Sequence, residues 1–113
     1  SEVTDITSDG ADGLWVHDSR SGLWRWTGHG VSPAAVPREL QSVPLLASYT
    51  DRDGRAWFAY DNGTVASIDR SGAMRVAGER DGLRGGPYRA IHQDRDGSVW
   101  FGGDGVLVRF ADG

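Results

Sequence analysis

The sequence contains no cysteine and no lysine, a single methionine and four prolines. Without cysteine there is no disulfide framework, no thiolate nucleophile and no cysteine-based zinc site, and the redox compartment is left open. Without lysine all twelve basic side chains are arginine, and sixteen carboxylates outnumber them for a net charge of −4. Phosphate neutralisation needs a clustered basic surface, so nucleic acid is not an expected partner. No apolar run exceeds five residues, far short of the ~20 that a bilayer-spanning helix needs, and direct membrane contact is not expected. There is no start methionine and no signal-peptide pattern, so Ser1 is expected to mark a boundary rather than a natural leader. Helical periodicity does not survive for three turns anywhere in the chain.

What is present is a repeat. Ile91-His92-Gln93-Asp94-Arg95-Asp96-Gly97-Ser98-Val99-Trp100-Phe101-Gly102 has a counterpart 43 residues earlier, Ser48-Tyr49-Thr50-Asp51-Arg52-Asp53-Gly54-Arg55-Ala56-Trp57-Phe58-Ala59. A third copy lies 42 residues before that, where Ile6-Thr7-Ser8-Asp9 is followed by Asp12-Gly13-Leu14-Trp15-Val16, its Asp-Gly one place late. A period in the low forties is the length of one four-stranded propeller blade. Trp15, Trp57 and Trp100, with Gly13, Gly54 and Gly97, are therefore read as the structural anchors of the repeat.

Alternation and turn chemistry place the strands. Asp-Gly and Asn-Gly pairs supply the positive φ that tight hairpins require. Between them lie apolar runs at Leu14–His17, Leu23–Trp26, Leu45–Thr50, Ala56–Tyr60, Thr64–Ile68, Ala73–Ala77, Tyr88–Gln93, Val99–Gly102 and Val106–Phe110, with a weaker strand over Val3–Asp9. Pro33 and Pro37 restrict a strand at Val31 to a short or edge position, and residues 34–44 read as a loop. The expected fold is all-β, a fragment of a β-propeller with about two and a half four-stranded antiparallel blades. Blade 1 covers about 1–44, blade 2 about 45–87 and an incomplete blade 3 about 88–113. The columns Leu23/Val65/Leu107, Trp24/Ala66/Val108 and Trp26/Ile68/Phe110 point alternately to opposite faces and are all largely apolar. A sheet wet on one side would alternate, so both faces are expected to be covered, with Trp24 and Trp26 in the blade core. The partners implied are the remaining blades of a longer propeller or other copies of the chain.

No catalytic constellation emerges. Asp51-Arg52-Asp53-Gly54 and Asp94-Arg95-Asp96-Gly97 place alternate carboxylates before glycine, but lack the further ligands and bidentate Glu of a calcium loop; they read as turns, with no metal expected. His17, His29 and His92 are scattered without metal-ligand spacing, and His92 aligns with Tyr49 in an inner strand, which implies a structural or channel-lining role. The glycine-rich segments lead into no helix, no serine sits in a nucleophile elbow, and no cofactor is expected. In a propeller the loops after the second and fourth strands share one face, and loops on a rigid scaffold are where binding concentrates. His17, Asp18, Arg20, Tyr60, Asp61, Arg84, Tyr88 and Asp104 are the candidate ligand-binding residues on that face.

The residues also carry a family resemblance. Asp81-Gly82-Leu83, then Tyr88 through Gly102, then Gly105-Val106-Leu107-Val108-Arg109-Phe110 resembles the two-component regulator propeller repeat. Asp12-Gly13-Leu14-Trp15 and Gly22-Leu23-Trp24-Arg25-Trp26 match it in the first copy, whereas Val65-Ala66-Ser67-Ile68 in the second lacks the arginine. The resemblance implies the extracytoplasmic, periplasmic sensor region of a bacterial histidine kinase or hybrid two-component regulator. It implies a non-enzymatic, ligand-sensing segment whose parent carries the output module elsewhere, with a glycan or small molecule as ligand; no ligand motif carries over residue by residue. The alternatives are a short-chain propeller lectin that oligomerises to close a ring and, third, a propeller similar to the streptogramin lyases.

Overall fold

A computed structural model describes residues 2–78 and 82–110. The expected end of blade 3 at 111–113 and Asp81 of the Asp-Gly-Leu motif lie outside the described residues. Eleven strands form three antiparallel sheets among the described residues. The first holds β1 (Val3–Ser8), β2 (Leu14–Asp18), β3 (Gly22–Thr27) and β4 (Gly30–Pro33) in that order. The second holds β5 (Leu45–Thr50), β6 (Ala56–Tyr60), β7 (Val65–Ile68) and β8 (Met74–Ala77). The third holds β9 (Tyr88–Gln93), β10 (Val99–Gly103) and β11 (Val106–Phe110), with β10 in the middle. Each sheet is a meander, and the three first strands β1, β5 and β9 lie side by side. This is the stacking of propeller blades around an axis. The chain is all-β, as the period predicts, and the one departure among the described residues is a single 3-10 turn at Arg38–Leu40 inside the segment read as loop.

The three tryptophans occupy one structural position. On one side Trp15, Trp57 and Trp100 stand opposite Thr7, Tyr49 and His92; on the other they stand opposite Arg25, Ser67 and Arg109. The preceding turns match as well, since the amides of Asp9, Asp51 and Asp94 donate to the carbonyls of Gly13, Arg55 and Ser98 at 3.1, 2.9 and 2.9 Å. That register places Gly13 with Arg55 and Ser98, so Gly13 is not the counterpart of Gly54 and Gly97. Those two take the left-handed conformation at the fourth place of their turns, with φ of 82° and 95°, whereas the first turn has its left-handed glycine second, at Gly10 (φ 83°). Gly13 is needed for space instead: a Cβ there would stand 2.3 Å from Asp9 Oδ2.

Blade 2 is buried on both faces, as its unbroken apolar columns require. Because side chains alternate along a strand, Ala56, Phe58, Tyr60, Ala66 and Ile68 pack toward blade 1 against Trp15, Leu23 and Leu40. Trp57, Ala59 and Val65 pack toward blade 3 against Leu83, Tyr88, Val99 and Phe101. Edge-on aromatic pairs sit in both interfaces, one in the first, Trp15 with Phe58 at 6.0 Å, and two in the second, Trp57 with Phe101 at 5.5 Å and with Phe110 at 5.7 Å. Burying each such ring contributes ~1.5–3 kcal/mol and the edge-to-face geometry about 0.5–1.5 more, so burial is the larger effect.

Among the described residues, blades 1 and 3 are covered on one face only. Trp24 is half-buried and Trp26 is 45% exposed, on the side of blade 1 that points away from blade 2. Their expected place in the blade core is thereby corrected. The columns are in register with Ala66/Val108 and Ile68/Phe110, but no sheet stands in front of them.

Candidate functional site

The two ends of the stacked sheets differ in chemistry. At one end lie the β1–β2, β5–β6 and β9–β10 turns, and their carboxylates are engaged by the chain itself. Asp51 Oδ1 accepts from the amides of Asp53 (2.9 Å) and Arg55 (3.0 Å), while Oδ2 accepts from Trp57 Nε1 at 2.9 Å. Asp94 repeats this with the amide of Asp96 (3.0 Å) and Trp100 Nε1 (2.7 Å). In blade 1, Asp9 Oδ2 instead accepts from Arg25 Nε and Nη2, at 3.2 and 3.0 Å. Burial pushes the Asp9 carboxyl up, yet the hydrogen bonds from Ala11, Gly13 and Arg25 outweigh it and hold the group below its ordinary value. Asp96 is held low first by its hydrogen bond with Asp94, then by Ser98 and the nearby Arg109. These carboxylates organise turns and anchor indoles, and among the described residues no cluster of three metal-ligating side chains forms.

At the other end, the β2–β3 turn and the 3-10 turn enclose a cavity of about 230 Å³ between blades 1 and 2, lined by His17, Arg20, Leu23, Leu40, Gln41 and Tyr60. Its size lies just below the ~300–1,000 Å³ of sites that enclose drug-sized ligands, and fits a molecule no larger than a small sugar or amino acid. Arg20 is exposed at the rim, while His17 and Tyr60 are buried walls. His17 Nδ1 lies 2.8 Å from Thr4 Oγ1. Burial lowers the imidazole pKa from its ordinary 6.5, against the opposing charges of Asp5 and Asp18, so the ring presents a neutral hydrogen-bonding group. Burial pushes the Tyr60 phenol up to about 12, which keeps it protonated and able to donate. Asp18 holds the rim by accepting from the amides of Arg20 and Ser21 at 2.9 and 3.0 Å. His17 also walls a smaller cavity of about 100 Å³ with Thr4, Ser42 and Leu45.

The eight candidates thus fall into groups. His17, Arg20 and Tyr60 meet at one cavity, with Asp18 supporting it. Arg84 and Tyr88 belong to the other interface, where the Tyr88 hydroxyl donates to the Arg84 carbonyl at 2.6 Å and its ring packs 5.7 Å from Phe101. Asp61 and Asp104 sit exposed on separate turns. Leu40 and Gln41 were not legible as site residues, because residues 34–44 carry no strand pattern to fix where they fold back. His92 faces Tyr49 across the first strands, with ring centroids 6.2 Å apart.

A guanidinium stands over each anchor indole: Arg25 over Trp15 at 5.5 Å, Arg55 over Trp57 at 5.9 Å and Arg109 over Trp100 at 5.9 Å. The arginine missing from β7 is therefore replaced from the adjacent turn. Arg55 Nη1 donates to Ser67 Oγ at 3.2 Å, just as Arg109 Nε donates to Ser98 Oγ at 2.9 Å with the two residue types exchanged. Three such sheets define a segment of a β-propeller. Residues 82–105, from the loop before β9 to the turn before β11, match the family model described as two component regulator propeller, so this segment is similar to that repeat. No curated protein matches the chain.

Proposed function

We propose that this chain is a non-enzymatic, ligand-sensing segment of a two-component signalling receptor, acting outside the cytoplasm and passing occupancy of a small site between blades to an output module elsewhere in its parent. The observation that carries the reading is the two component regulator propeller match at residues 82–105. The cavity shared by His17, Arg20 and Tyr60 supports it, because it is a small polar recess at an interface between rigid sheets. A ligand held there touches two blades at once, so binding energy is available to bias their relative placement. Its donors are one fixed cation at the rim, a neutral imidazole and a protonated phenol, which suit hydroxyl-rich or carboxylate-bearing small molecules, a glycan terminus among them. The test is a glycan and small-acid binding array read with the wild-type protein and with Arg20→Ala. Binding weakened about tenfold or more by loss of the charged hydrogen bond is the expected result. No binding to any member, or binding indifferent to Arg20 and Tyr60→Phe alike, overturns the assignment to this cavity.

A further inference from the structure

Nearly every buried polar side chain among the described residues is held by the fold. Asp9 accepts from Gly13 and Arg25, Ser67 from Arg55, Ser98 from Arg109, and Gln93 from the Arg52 amide. The hydroxyl of Tyr88, a residue 1% exposed, donates to the Arg84 carbonyl. Tyr60 is the exception: it too is 1% exposed, yet its hydroxyl has no hydrogen-bond partner among the described residues. No side-chain nitrogen or oxygen that is fully covered lacks a partner. This hydroxyl therefore keeps accessible surface, and the wall in which it stands is that of the 230 Å³ cavity. His17, in the same wall, is engaged at Nδ1 by Thr4 and has no partner at Nε2. Buried polar groups without partners are rare, because each forfeits its hydration.

The repeat itself does not call for these two groups. Two and three places beyond the anchor tryptophan, blade 1 has His17 and Asp18, blade 2 Ala59 and Tyr60, and blade 3 Gly102 and Gly103. Where the first interface sets His17 against Tyr60, the second sets Ala59 against Gly103. That place is closed, since a Cβ at Gly103 would stand 2.5 Å from the Pro87 carbonyl oxygen.

We propose that the cavity takes a short hydroxycarboxylic acid, its hydroxyl inward at Tyr60 and His17 and its carboxylate at Arg20. This rests on the reading of the cavity as a ligand site. A hydroxyl both donates and accepts, so it satisfies the phenol and either tautomer of the imidazole. A carboxylate at that depth would lose its hydration and face the charges of Asp5 and Asp18 beside His17. At the rim it keeps part of its hydration and gains a charge-assisted bond from Arg20, which is exposed and has no ion pair among the described residues. Leu23, Val36 and Leu40 supply the aliphatic wall. At the ~30 Å³ share of one water, the volume corresponds to roughly seven or eight non-hydrogen groups, the size of a hydroxy acid of four or five carbons.

Calorimetric titration of the wild-type protein with 2- and 3-hydroxybutyrate, butyrate, butane-1,3-diol, glucose and alanine tests this. One of the hydroxybutyrates is expected to bind about tenfold or more tightly than butyrate or the diol, each of which lacks one of the two groups. Tyr60→Phe should abolish the preference over butyrate while leaving butyrate itself unchanged, and Arg20→Ala should abolish the preference over the diol. Because the hydroxyl is unpartnered in the folded chain, Tyr60→Phe should melt no lower than the wild type, which also shows that the variant folds. A lower melting temperature would mean that the hydroxyl serves the fold, and overturns the proposal. So do hydroxybutyrates that bind no better than butyrate. Binding of glucose or alanine that depends on Arg20, with both hydroxybutyrates inert, overturns this ligand class and leaves the cavity as the sensing site. No binding by any probe overturns both.

Discussion

Blade 2 and blade 3 solve one local problem with their residues exchanged. In both, the anchor indole donates to the first aspartate of the preceding turn and lies under a guanidinium. Blade 2 takes that guanidinium from the turn, at Arg55, and sets Ser67 on the third strand; blade 3 sets Ser98 in the turn and takes Arg109 from the third strand. The two places face each other across one hairpin, so a long cation on either side reaches the same ring. What is kept from blade to blade is a pair, not a residue at a position. The blades differ more in their surroundings: Trp57 is 2% exposed beneath blade 3, while Trp100 is only half-buried, with Arg109 over its ring.

The largest expected effect tests that difference in surroundings. Trp57→Ala empties a closed interface and should cost about 3–5 kcal/mol, whereas Trp100→Ala should cost about 1 kcal/mol, the ordinary scale for a partly exposed site. Urea denaturation at concentrations dilute enough to keep the protein monomeric measures both. Equal losses would mean that Trp100 is covered in the monomer and that the comparison is mistaken.

Exchanging the pair is a finer test. Arg55→Ser alone should cost ~0.5–1.5 kcal/mol by losing a hydrogen bond and the ring contact, and Ser67→Arg alone should cost more, because it sets a second cation at a buried position beside the half-buried Arg55. The double variant should return to within about 0.5 kcal/mol of wild type, because it recreates the arrangement of blade 3; a double-mutant cycle that is merely additive rejects the equivalence.

The smallest effect concerns the interface between blades 1 and 2, where the imidazole of His17 has no counterpart between blades 2 and 3. Its folded pKa is lowered by burial, so the folded state favours the neutral ring. The stability this contributes is complete above the unfolded value near 6.5 and is lost as pH falls from there toward the lower folded value, because the unfolded chain binds the proton first. Melting temperature should therefore drop between pH 7.5 and 5.5, and His17→Gln should flatten that dependence. Asp9, Asp69 and Asp96 are all held below 3.8 and contribute their own loss only at more acid pH. An unchanged slope in the variant would assign the dependence to other groups.

Much of the architecture was legible because it is local. Asp-Gly and Asn-Gly turns and two-residue alternation, which act within one hairpin, placed the strands close to their observed bounds, and the period of 42–43 grouped them into blades. The column alignment was also sound, and Trp24 and Trp26 show where it runs out. A column states which residues share a position; whether a neighbour covers that position depends on which blades are present. The exchange of Arg55 for the missing third-strand arginine is invisible along the chain for a related reason, as it appears only when turn and strand are set in register.

From the sequence alone came the all-β class, the blade repeat, the three tryptophans as one position and the roles of the turn aspartates. Backbone geometry and hydrogen bonding within a dozen residues are enough to dictate those. Only the tertiary structure decided which of eight plausible polar residues meet, drawing His17, Arg20 and Tyr60 to one cavity while leaving Asp61 and Asp104 on turns of their own. It also decided which apolar faces stay open. Both depend on how separate sheets stack, and the repeat shows which residues share a position but not which of them touch across an interface.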